Sequence, residues 1–398
     1  MQITDDSLEE GQLMTLNFGP THPATHGTLH LIATMDGERI REAEPIIGYL
    51  HRGKEKMGEH LKYNQYLTMT DRMNYLSPAL NNIGWCLAVE KLMGVDTPPR
   101  VKWVETISCE LARIMDHTVC NGINAFDVGA ATVFFYMFQQ REVITEIFEQ
   151  MTGARLTISW PRIGGLPYDV PPDFKDQVRA FLKGFYPVLD ECDKLLRNNR
   201  IFLDRTAGVG AITKERAISY GFTGPCLRAT GFEYDLRKRE PYLCYDQVDF
   251  DVPVGTNGDV FDRFFVRMEE CRQSARIIEQ CLEKMPDTGP FAVDDYRVIL
   301  PPKEKVYNEM EAMIFHFKLV IDGVKPPAGE IYQGLEAGNG ELGFYIVSDG
   351  SGKPYRVKVR SPCFYIYAAY PELIRGLMMS DVVAVLGSLN IIAGELDR

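Results

Sequence analysis

The 398-residue sequence has no long apolar run and no closely spaced pair of cysteines. Its longest nearly uncharged apolar stretch is 128–138, far short of the roughly 20 residues that a membrane-spanning helix needs. The first residues, MQITDDSLEEGQ, are acidic and polar, whereas a secretory signal is basic and then apolar. We therefore expect a protein that neither spans a membrane nor is exported.

The nine cysteines are scattered along the chain, and no two of them form a C-x-x-C pair. Iron–sulfur and zinc sites usually need closely spaced thiolates, so this spacing predicts no metal or cluster held by the chain alone. It is typical of a protein from a reducing compartment, where cysteine acts as a small apolar core residue. Any redox metal is expected on a partner.

Acidic residues outnumber basic ones, which gives a net charge of −12. This charge argues against binding to nucleic acid or anionic lipid, and it favours protein partners or a small neutral ligand. A sequence that is 45% hydrophobic and 25% charged has the ordinary composition of a globular protein. The length allows two or three compact units.

The hydrophobic pattern predicts an α+β fold in three parts. We expect a small N-terminal antiparallel β-sheet in 1–58, a bundle of long α-helices in 59–288 with an irregular insertion near 205–255, and a C-terminal α+β segment in 289–398 that closes on the bundle. Asp36-Gly37, between two strand-like runs, predicts a hairpin in the first part.

Helical periodicity marks the bundle, because apolar residues recur at intervals of three and four. The predicted helices of the bundle are 59–92, 101–121, 129–152, 173–199 and 259–285. The C-terminal part is predicted to contain a strand over 292–300, a helix over 303–321, two strands joined by 349–352, and a final helix over 372–388.

The segment GPTHPATHGTLH places His22, His26 and His30 at intervals of four residues. On a helix this spacing would put three imidazoles on one face and suggest zinc, but Pro23 and Gly27 interrupt a helix here. On an extended chain four residues span ~13 Å, too far for one shared metal ion. We interpret the segment either as a tight loop that presents one imidazole to a cavity or as exposed turn histidines.

Residues 338–343 match G-x-G-x-x-G, the fingerprint of dinucleotide binding. Such a site needs a strand before the glycines and a helix N-terminus after them. Here the strand-like run FYIVS follows, so the glycines predict a turn into a hairpin. We therefore reject NAD binding by this chain.

Two polar residues interrupt apolar helical stretches. Tyr75 follows Asp71 and Arg72 in the first predicted helix, and a tyrosine in a bundle is more often a core residue whose hydroxyl finds a local partner. Asp127, in INAFDVGA, is interpreted either as the cap of the helix that begins near Gly129 or as the buried partner of a cation. The sequence alone favours the cap.

Seven stretches between Asn17 and Arg398 carry a resemblance that covers nearly the whole chain. They are NFGPTHPATHGTLHL, GYLHRGKEK, TMTDRMNYLS, DLRKREPYLCYDQVDFDVPVGTNGD, EECRQSARII, VSDGSGKPYRVKVRSP and DVVAVLGSLNIIAGELDR. These stretches resemble those of the D-subunit family of respiratory complex I, the proton-pumping NADH:quinone oxidoreductase. That family is similar to the large subunit of nickel–iron hydrogenases, so the resemblance implies a hydrogenase-large-subunit-like fold.

The hydrogenase relationship supplies a rival function. A hydrogenase holds nickel with one pair of cysteines near the start of the chain and a second pair near the end. Here the early position reads Leu50-His51-Arg52-Gly53, and no cysteine follows Cys363. Because nickel of this kind requires soft thiolate ligands, we do not expect hydrogenase activity.

The resemblance implies a quinone headgroup bound between Tyr75 and His26, with Asp127 as the carboxylate partner of that histidine. A quinone needs a hydrogen-bond donor at each carbonyl, and its reduced form takes a proton from each. A nearby carboxylate favours the protonated imidazole. Arg52 and Arg72 match arginines that lie beside the terminal iron–sulfur cluster of a partner subunit. They are not ligands, and they favour the reduced, more negative cluster.

The resemblance also implies the cofactors, substrate, partners and location of the chain. We expect no cofactor bound by this chain, quinone as the substrate, and an iron–sulfur cluster on the partner subunit. The other partners are neighbouring subunits of the peripheral and membrane arms, without nucleic acid. The complex is expected at the cytoplasmic face of the inner (plasma) membrane, with this chain peripheral and inactive alone. The electron transfer is coupled to proton translocation.

Two alternatives remain beside this hypothesis. In the first, the chain is a subunit of a related ferredoxin-dependent membrane complex. In the second, it is a structural subunit with an accessory pocket.

Two residues depart from the family pattern. Pro167 stands where many members have a histidine near the cluster, which leaves open how a proton is linked to cluster reduction. Thr21 replaces a common glutamine.

Overall fold

The computed structural model describes residues 13–22, 25 and 27–398, so the acidic N-terminal stretch and His26 lie outside the described residues. In chain order, the described strands and helices are β1 Leu13–Phe18, β2 His30–Asp36, β3 Arg39–Ile46, α1 Lys54–Gly58, α2 Tyr63–Thr70, α3 Pro78–Met93, α4 Pro99–Asp127, α5 Ala131–Thr152, α6 Phe174–Leu196, α7 Arg200–Thr206, α8 Lys214–Ser219, α9 Gly224–Arg228, α10 Leu236–Arg239, α11 Val260–Lys284, α12 Lys303–Asn308, α13 Met310–Ile321, β4 Gly329–Ala337, β5 Gly340–Ser348, β6 Arg356–Arg360, α14 Pro362–Ala368, α15 Tyr370–Ile374, α16 Met379–Leu389 and α17 Ala393–Leu396. The predicted α+β class is confirmed.

The N-terminal sheet is antiparallel, with the strand order β1-β2-β3. Asp36 pairs with Arg39 across the turn between β2 and β3, which confirms the predicted hairpin. Gly37 in this turn has a φ of 58°, a conformation that glycine adopts without steric cost. Alternate side chains of β2 are buried, so one face of the sheet packs against the protein interior.

The long helix α4 lies at the centre of the bundle and packs against α3, α5, α11 and α16. Nearly all of its 29 residues are buried, polar ones included. The helices predicted over 101–121, 129–152, 173–199 and 259–285 are observed as α4, α5, α6 and α11. The bundle was predictable because its helices are long and periodic.

The single helix predicted over 59–92 is wrong. The helix α2 ends at Thr70, residues 71–77 form turns and bends, and α3 begins at Pro78. Proline lacks an amide hydrogen and favours the first turn of a helix, so Pro78 starts a helix rather than continuing one. Tyr75 therefore lies in a connecting segment between two helices.

The C-terminal part differs from its prediction at three places. Residues 292–300 form no strand, because only one bridge forms there, between Gly165 and Ala292. The helix predicted over 303–321 is divided at Glu309, which has an extended backbone. The helix predicted over 372–388 is also divided, with a break that contains Gly376 at a φ of 79°.

The second sheet is antiparallel, with the order β4-β5-β6. Ala337 pairs with Gly340 at the turn between β4 and β5, so the G-x-G-x-x-G segment forms a hairpin, as predicted. The strand β4 was not predicted. The two predicted strands joined by 349–352 are confirmed as β5 and β6.

Two hydrophobic clusters form the interior. One joins the bundle to the second sheet, and the other joins the N-terminal sheet to the C-terminal helices. Met73 belongs to the first cluster and Tyr75 packs against the second, so the 71–77 segment lies where the two clusters meet. The division into three segments stays a prediction. Within the described residues, no helix combines the length and apolar character needed to cross a membrane.

Candidate functional site

Tyr75 lies in a connecting segment between two helices. One buried carboxylate anchors this segment through residues on both sides of Tyr75. Asn74 Nδ2 and Ser77 Oγ both donate hydrogen bonds to Asp116 Oδ2, at 3.1 and 2.9 Å. Asp116 is fully buried in α4. Because the residues before and after Tyr75 are both held by α4, the position of the ring is fixed without a helix of its own.

The Tyr75 side chain lines a cavity of about 250 Å³ between α4 and residues 387–392. The other lining residues are mostly apolar: Leu76, Val119, Cys120, Ile123, Gly387, Asn390, Ile391 and Ile392. A dry cavity of ~150 Å³ is enough to hold benzene, so this cavity suits a single substituted ring. Tyr75 and Asn390 supply polar groups at its wall.

A larger cavity of about 810 Å³ adjoins the first, and Ile123 lines both. Asp127 lines the larger cavity together with His22 and Arg205. Asp127 is the last residue of α4. The N-cap position of α5 is Ala130, and its side chain makes no capping hydrogen bond. The prediction that Asp127 caps this helix is therefore wrong. The structure thus brings Tyr75 and Asp127 to neighbouring cavities.

His26 lies outside the described residues, but two other histidines of the triplet are described. The ring of His22 lies 4.6 Å from the ring of Phe18. The ring nitrogens of His30 contact Tyr49 Oη at 3.1 Å and Asn17 Oδ1 at 3.2 Å. Within the described residues, no three His, Cys, Asp or Glu side chains are close enough together to hold a metal ion.

The electrostatic setting keeps Tyr75 protonated. Burial raises the pKa of the Tyr75 hydroxyl, and electrostatic interactions with the nearby Cys363 and Asp116 raise this pKa further. Tyr75 is therefore a hydrogen-bond donor at neutral pH. It releases its proton only to a strongly basic acceptor.

Arg52 and Arg72 are exposed and lie near the same buried lysine, Lys54. Lys54 Nζ donates to the Arg72 carbonyl at 2.6 Å and to the Gly394 carbonyl at 2.7 Å. Burial lowers the pKa of Lys54 to about 8, and the positive charges of Arg52 and then Arg72 contribute. The structure therefore brings together the two arginines that the sequence indicated, and it adds a third cation.

The C-terminus holds the segment that carries Arg52. Asp397 accepts hydrogen bonds from the backbone N–H groups of Gly48 at 2.9 Å and Leu50 at 2.8 Å. His51 Nδ1 donates to the Asp397 carbonyl at 2.6 Å. The segment 50–53 and the C-terminus, which correspond to the cysteine-bearing ends of hydrogenases, therefore lie side by side. They contain no thiolate pair, and the imidazole of His51 is already hydrogen-bonded to the backbone.

Sequence reasoning missed Asp116, Asn390 and Lys54. The signal for Asp116 was present, because it is a carboxylate in a segment that is otherwise rich in apolar residues, RIMDHTVC. The partners of Asn390 and Lys54 lie far away in the sequence, so no local pattern could have identified their roles.

The family model described as respiratory-chain NADH dehydrogenase, 49 kDa subunit, matches residues 127–398. The D subunit of the NADH-quinone oxidoreductase of Leptospira biflexa is 52% identical over 390 residues, which cover 98% of this chain and 96% of that protein. The first of the numbered D subunits of Sorangium cellulosum is 52% identical over 404 residues, with 100% of both chains covered. A joint C/D subunit of Bdellovibrio bacteriovorus is 51% identical over 385 residues, which cover 97% of this chain and 69% of that longer protein.

Proposed function

The chain belongs to the 49 kDa subunit family of the respiratory-chain NADH dehydrogenase, and we propose that it forms the quinone-reduction pocket of a proton-translocating NADH:quinone oxidoreductase. The pocket is completed by the partner subunit that bears the terminal iron–sulfur cluster. The observation that carries this proposal is the placement of Tyr75 at the wall of a mostly apolar cavity of about 250 Å³. The activity belongs to the assembled complex.

In this mechanism the quinone ring enters the cavity, and Tyr75 and His26 donate hydrogen bonds to its two carbonyl oxygens. The raised pKa of Tyr75 means that its proton moves only when reduction makes the quinone oxygen strongly basic. Asp127 favours the protonated imidazole of His26, which then supplies the second proton. The apolar walls hold the ring and exclude competing water.

The exposed cations Arg52 and Arg72 face the cluster of the partner in this proposal. Positive charge near a cluster favours its reduced form, and Lys54 adds to the local field. We therefore expect Arg72→Met to make the midpoint potential of the terminal cluster more negative, by roughly tens of millivolts. A redox titration followed by electron paramagnetic resonance measures this potential.

The matched control for that measurement is Arg297→Met, which removes an exposed arginine whose partner is Asp295. It leaves Arg52, Lys54 and Arg72 unchanged, so the potential of the cluster should not move. If Arg72→Met and Arg297→Met give the same potential as the unmodified complex, then Arg72 does not face the cluster.

We expect His26→Ala to lower quinone reduction by about 10²-fold or more, because it removes one of two proton donors. The remaining activity should depend less on pH than that of the unmodified complex, since a titrating group is gone. Asp127→Asn should cause a smaller loss, because the imidazole remains but its protonated form loses support. The measurement is quinone reduction in membranes, compared with NADH oxidation by an artificial acceptor. Equal loss of both activities would indicate defective assembly instead.

We also propose that the direct neighbours of the chain include the terminal-cluster subunit and other members of the peripheral and membrane arms. The relative from Bdellovibrio bacteriovorus supports the C subunit as one of them, since its name joins C and D in one chain. The chain is peripheral, at the cytoplasmic face of the membrane. Affinity purification of the complex through this chain, followed by mass spectrometry, tests the neighbours.

A further inference from the structure

The Asn390 side chain lines the Tyr75 cavity, and hydrogen bonds behind the cavity wall hold its amide in one orientation. Asn390 Nδ2 donates to Asp116 Oδ1 at 2.8 Å and also to Asn339 Oδ1. The carboxylate of Asp116 has no hydrogen to donate, so it can only accept. The Asn390 amide must therefore turn its NH2 group, and not its oxygen, towards Asp116.

The same direction of donation continues through the next two side chains. Asn339 Oδ1 accepts from Asn390, and Asn339 Nδ2 donates to Cys363 Sγ at 3.4 Å. Burial raises the pKa of the Cys363 thiol, which therefore keeps its proton and donates to the Asn390 backbone carbonyl at 3.6 Å. Each donor in this row has an acceptor, so the carboxylate of Asp116 sets the direction of all the bonds.

These contacts leave one polar atom of Asn390 without a partner. Both amide hydrogens are used, and in the part of the chain that the structure describes no group donates to Asn390 Oδ1. The residue is only 6% exposed, yet this oxygen is not completely buried. The amide oxygen therefore faces the cavity that the side chain lines, as a hydrogen-bond acceptor in a mostly apolar wall.

An acceptor at this wall distinguishes the two redox states of a quinone ring. The carbonyl oxygens of the oxidised ring only accept hydrogen bonds, so they gain nothing from Asn390 Oδ1. Reduction turns these oxygens into hydroxyl groups, which can donate to Asn390 Oδ1. Tyr75 is a donor in the same cavity, because burial raises its pKa. The cavity thus contains a donor suited to the oxidised ring and an acceptor suited to the reduced ring.

We propose that Asn390 Oδ1 binds a hydroxyl group of the reduced ring, the quinol, and that Asp116 is the positioning residue that keeps this oxygen turned towards the cavity. One neutral hydrogen bond typically changes an affinity about two- to tenfold. Asn390 therefore favours the product of the reaction over the substrate by about this factor. The inference rests on the proposed function, which places the quinone ring in the Tyr75 cavity.

The test is Asp116→Asn in the assembled complex. The oxygen of the new amide can still accept from Asn74 and Ser77, but its NH2 group then faces Asn390. Two NH2 groups cannot bond to each other, so the Asn390 amide should turn over and direct its own NH2 group into the cavity. The Asn339 amide can turn with it, because the thiol beyond it can donate as well as accept.

The expected result is a change of two constants in opposite directions. The inhibition constant of added quinol should rise about two- to tenfold, because the quinol loses its acceptor. The KM for quinone should fall, because a second donor then faces its carbonyl groups. Quinone reduction in membranes, with and without added quinol, measures both constants. NADH oxidation by an artificial acceptor should stay unchanged.

The matched control is Glu105→Gln, which also replaces a buried carboxyl group of α4 by an amide. Glu105 lies about three helical turns from Asp116 and does not line the cavity, so both constants should stay unchanged. General damage to the pocket would weaken the binding of both ligands. A change of both constants in the same direction in Asp116→Asn, or an unchanged inhibition constant for quinol, would therefore refute the inference.

If Asp116→Asn does not assemble, Asn390→Gly decides. Glycine suits the left-handed backbone of this position, which has a φ of 54°, and it removes the amide oxygen. The inhibition constant of quinol should rise about two- to tenfold while the KM for quinone stays unchanged, and an unchanged inhibition constant would contradict the role of Asn390.

Tyr75→Phe separates a failure of this inference from a failure of the proposed function. Full quinone reduction with an unchanged KM in Tyr75→Phe would mean that the ring does not occupy this cavity, which refutes the proposed function. If Tyr75→Phe is impaired but Asp116→Asn and Asn390→Gly leave the inhibition constant of quinol unchanged, only the role of Asn390 is refuted.

Discussion

Tyr75→Phe is expected to lower quinone reduction by the assembled complex about 10²–10³-fold, the loss typical of removing one donor at a reacting oxygen. The substitution keeps the ring that lines the cavity and deletes only its hydroxyl. Asn74 and Ser77 still bond to Asp116, so the connecting segment should keep its conformation. Electrons enter the complex before this step. Oxidation of NADH by an artificial acceptor should therefore persist.

The matched control for Tyr75→Phe is Tyr66→Phe. Tyr66 is fully buried in α2, and its hydroxyl has no hydrogen-bond partner among the described residues. Deleting an unpaired hydroxyl removes no interaction, so both activities should be retained. Both activities are measured in the same membranes, against several quinones. Full quinone reduction in Tyr75→Phe would remove Tyr75 from the mechanism, and a parallel loss of both activities would show an assembly defect.

The sequence predicted the helices and turns whose structure is determined by residues close together in the chain. The helices α4, α5, α6 and α11 each repeat apolar residues over many turns, and the Asp36-Gly37 dipeptide favours a tight hairpin turn. The glycines of 338–343 were also interpreted correctly, because a strand-like run follows them. In each case the neighbouring residues were enough to specify the structure.

The site could be predicted only in part, because its geometry depends on distant contacts. Arg52 and Arg72 were identified through the family resemblance, but their common neighbour Lys54 depends on a fold that brings residue 394 to residue 54. Tyr75 was assigned to a helix because the periodicity continues through the 71–77 segment. The anchor of that segment, Asp116, lies 39 residues beyond Ser77. The roles of His26 and Tyr75 stay predictions.

A second cluster of buried charged residues was also not predicted from the sequence. Arg228 Nε donates to Glu270 at 2.8 Å, and Arg228 Nη1 donates to Glu336 at 2.8 Å. His117 Nε2 contacts the other Glu270 oxygen at 2.8 Å. Burial alone would raise the pKa of Glu270. The interactions with Arg228 and then His117 instead hold this pKa well below its usual range. This cluster joins α4, the helix that also carries Asp116, to α9, α11 and β4.

Arg228→Met is expected to destabilise the chain by about 3–5 kcal/mol, because it leaves buried carboxylates without their cation. Methionine fills much of the same space, so lost packing contributes little. Urea unfolding of the complex and its yield in membranes measure the loss. Arg297→Met, at an exposed ion pair with Asp295, should change the free energy of unfolding by less than about 0.5 kcal/mol. Adding Glu336→Gln to Arg228→Met should recover part of the stability, since one unpaired charge is removed. If Arg228→Met is as stable as Arg297→Met, the buried ion pairs of Arg228 do not hold these elements together.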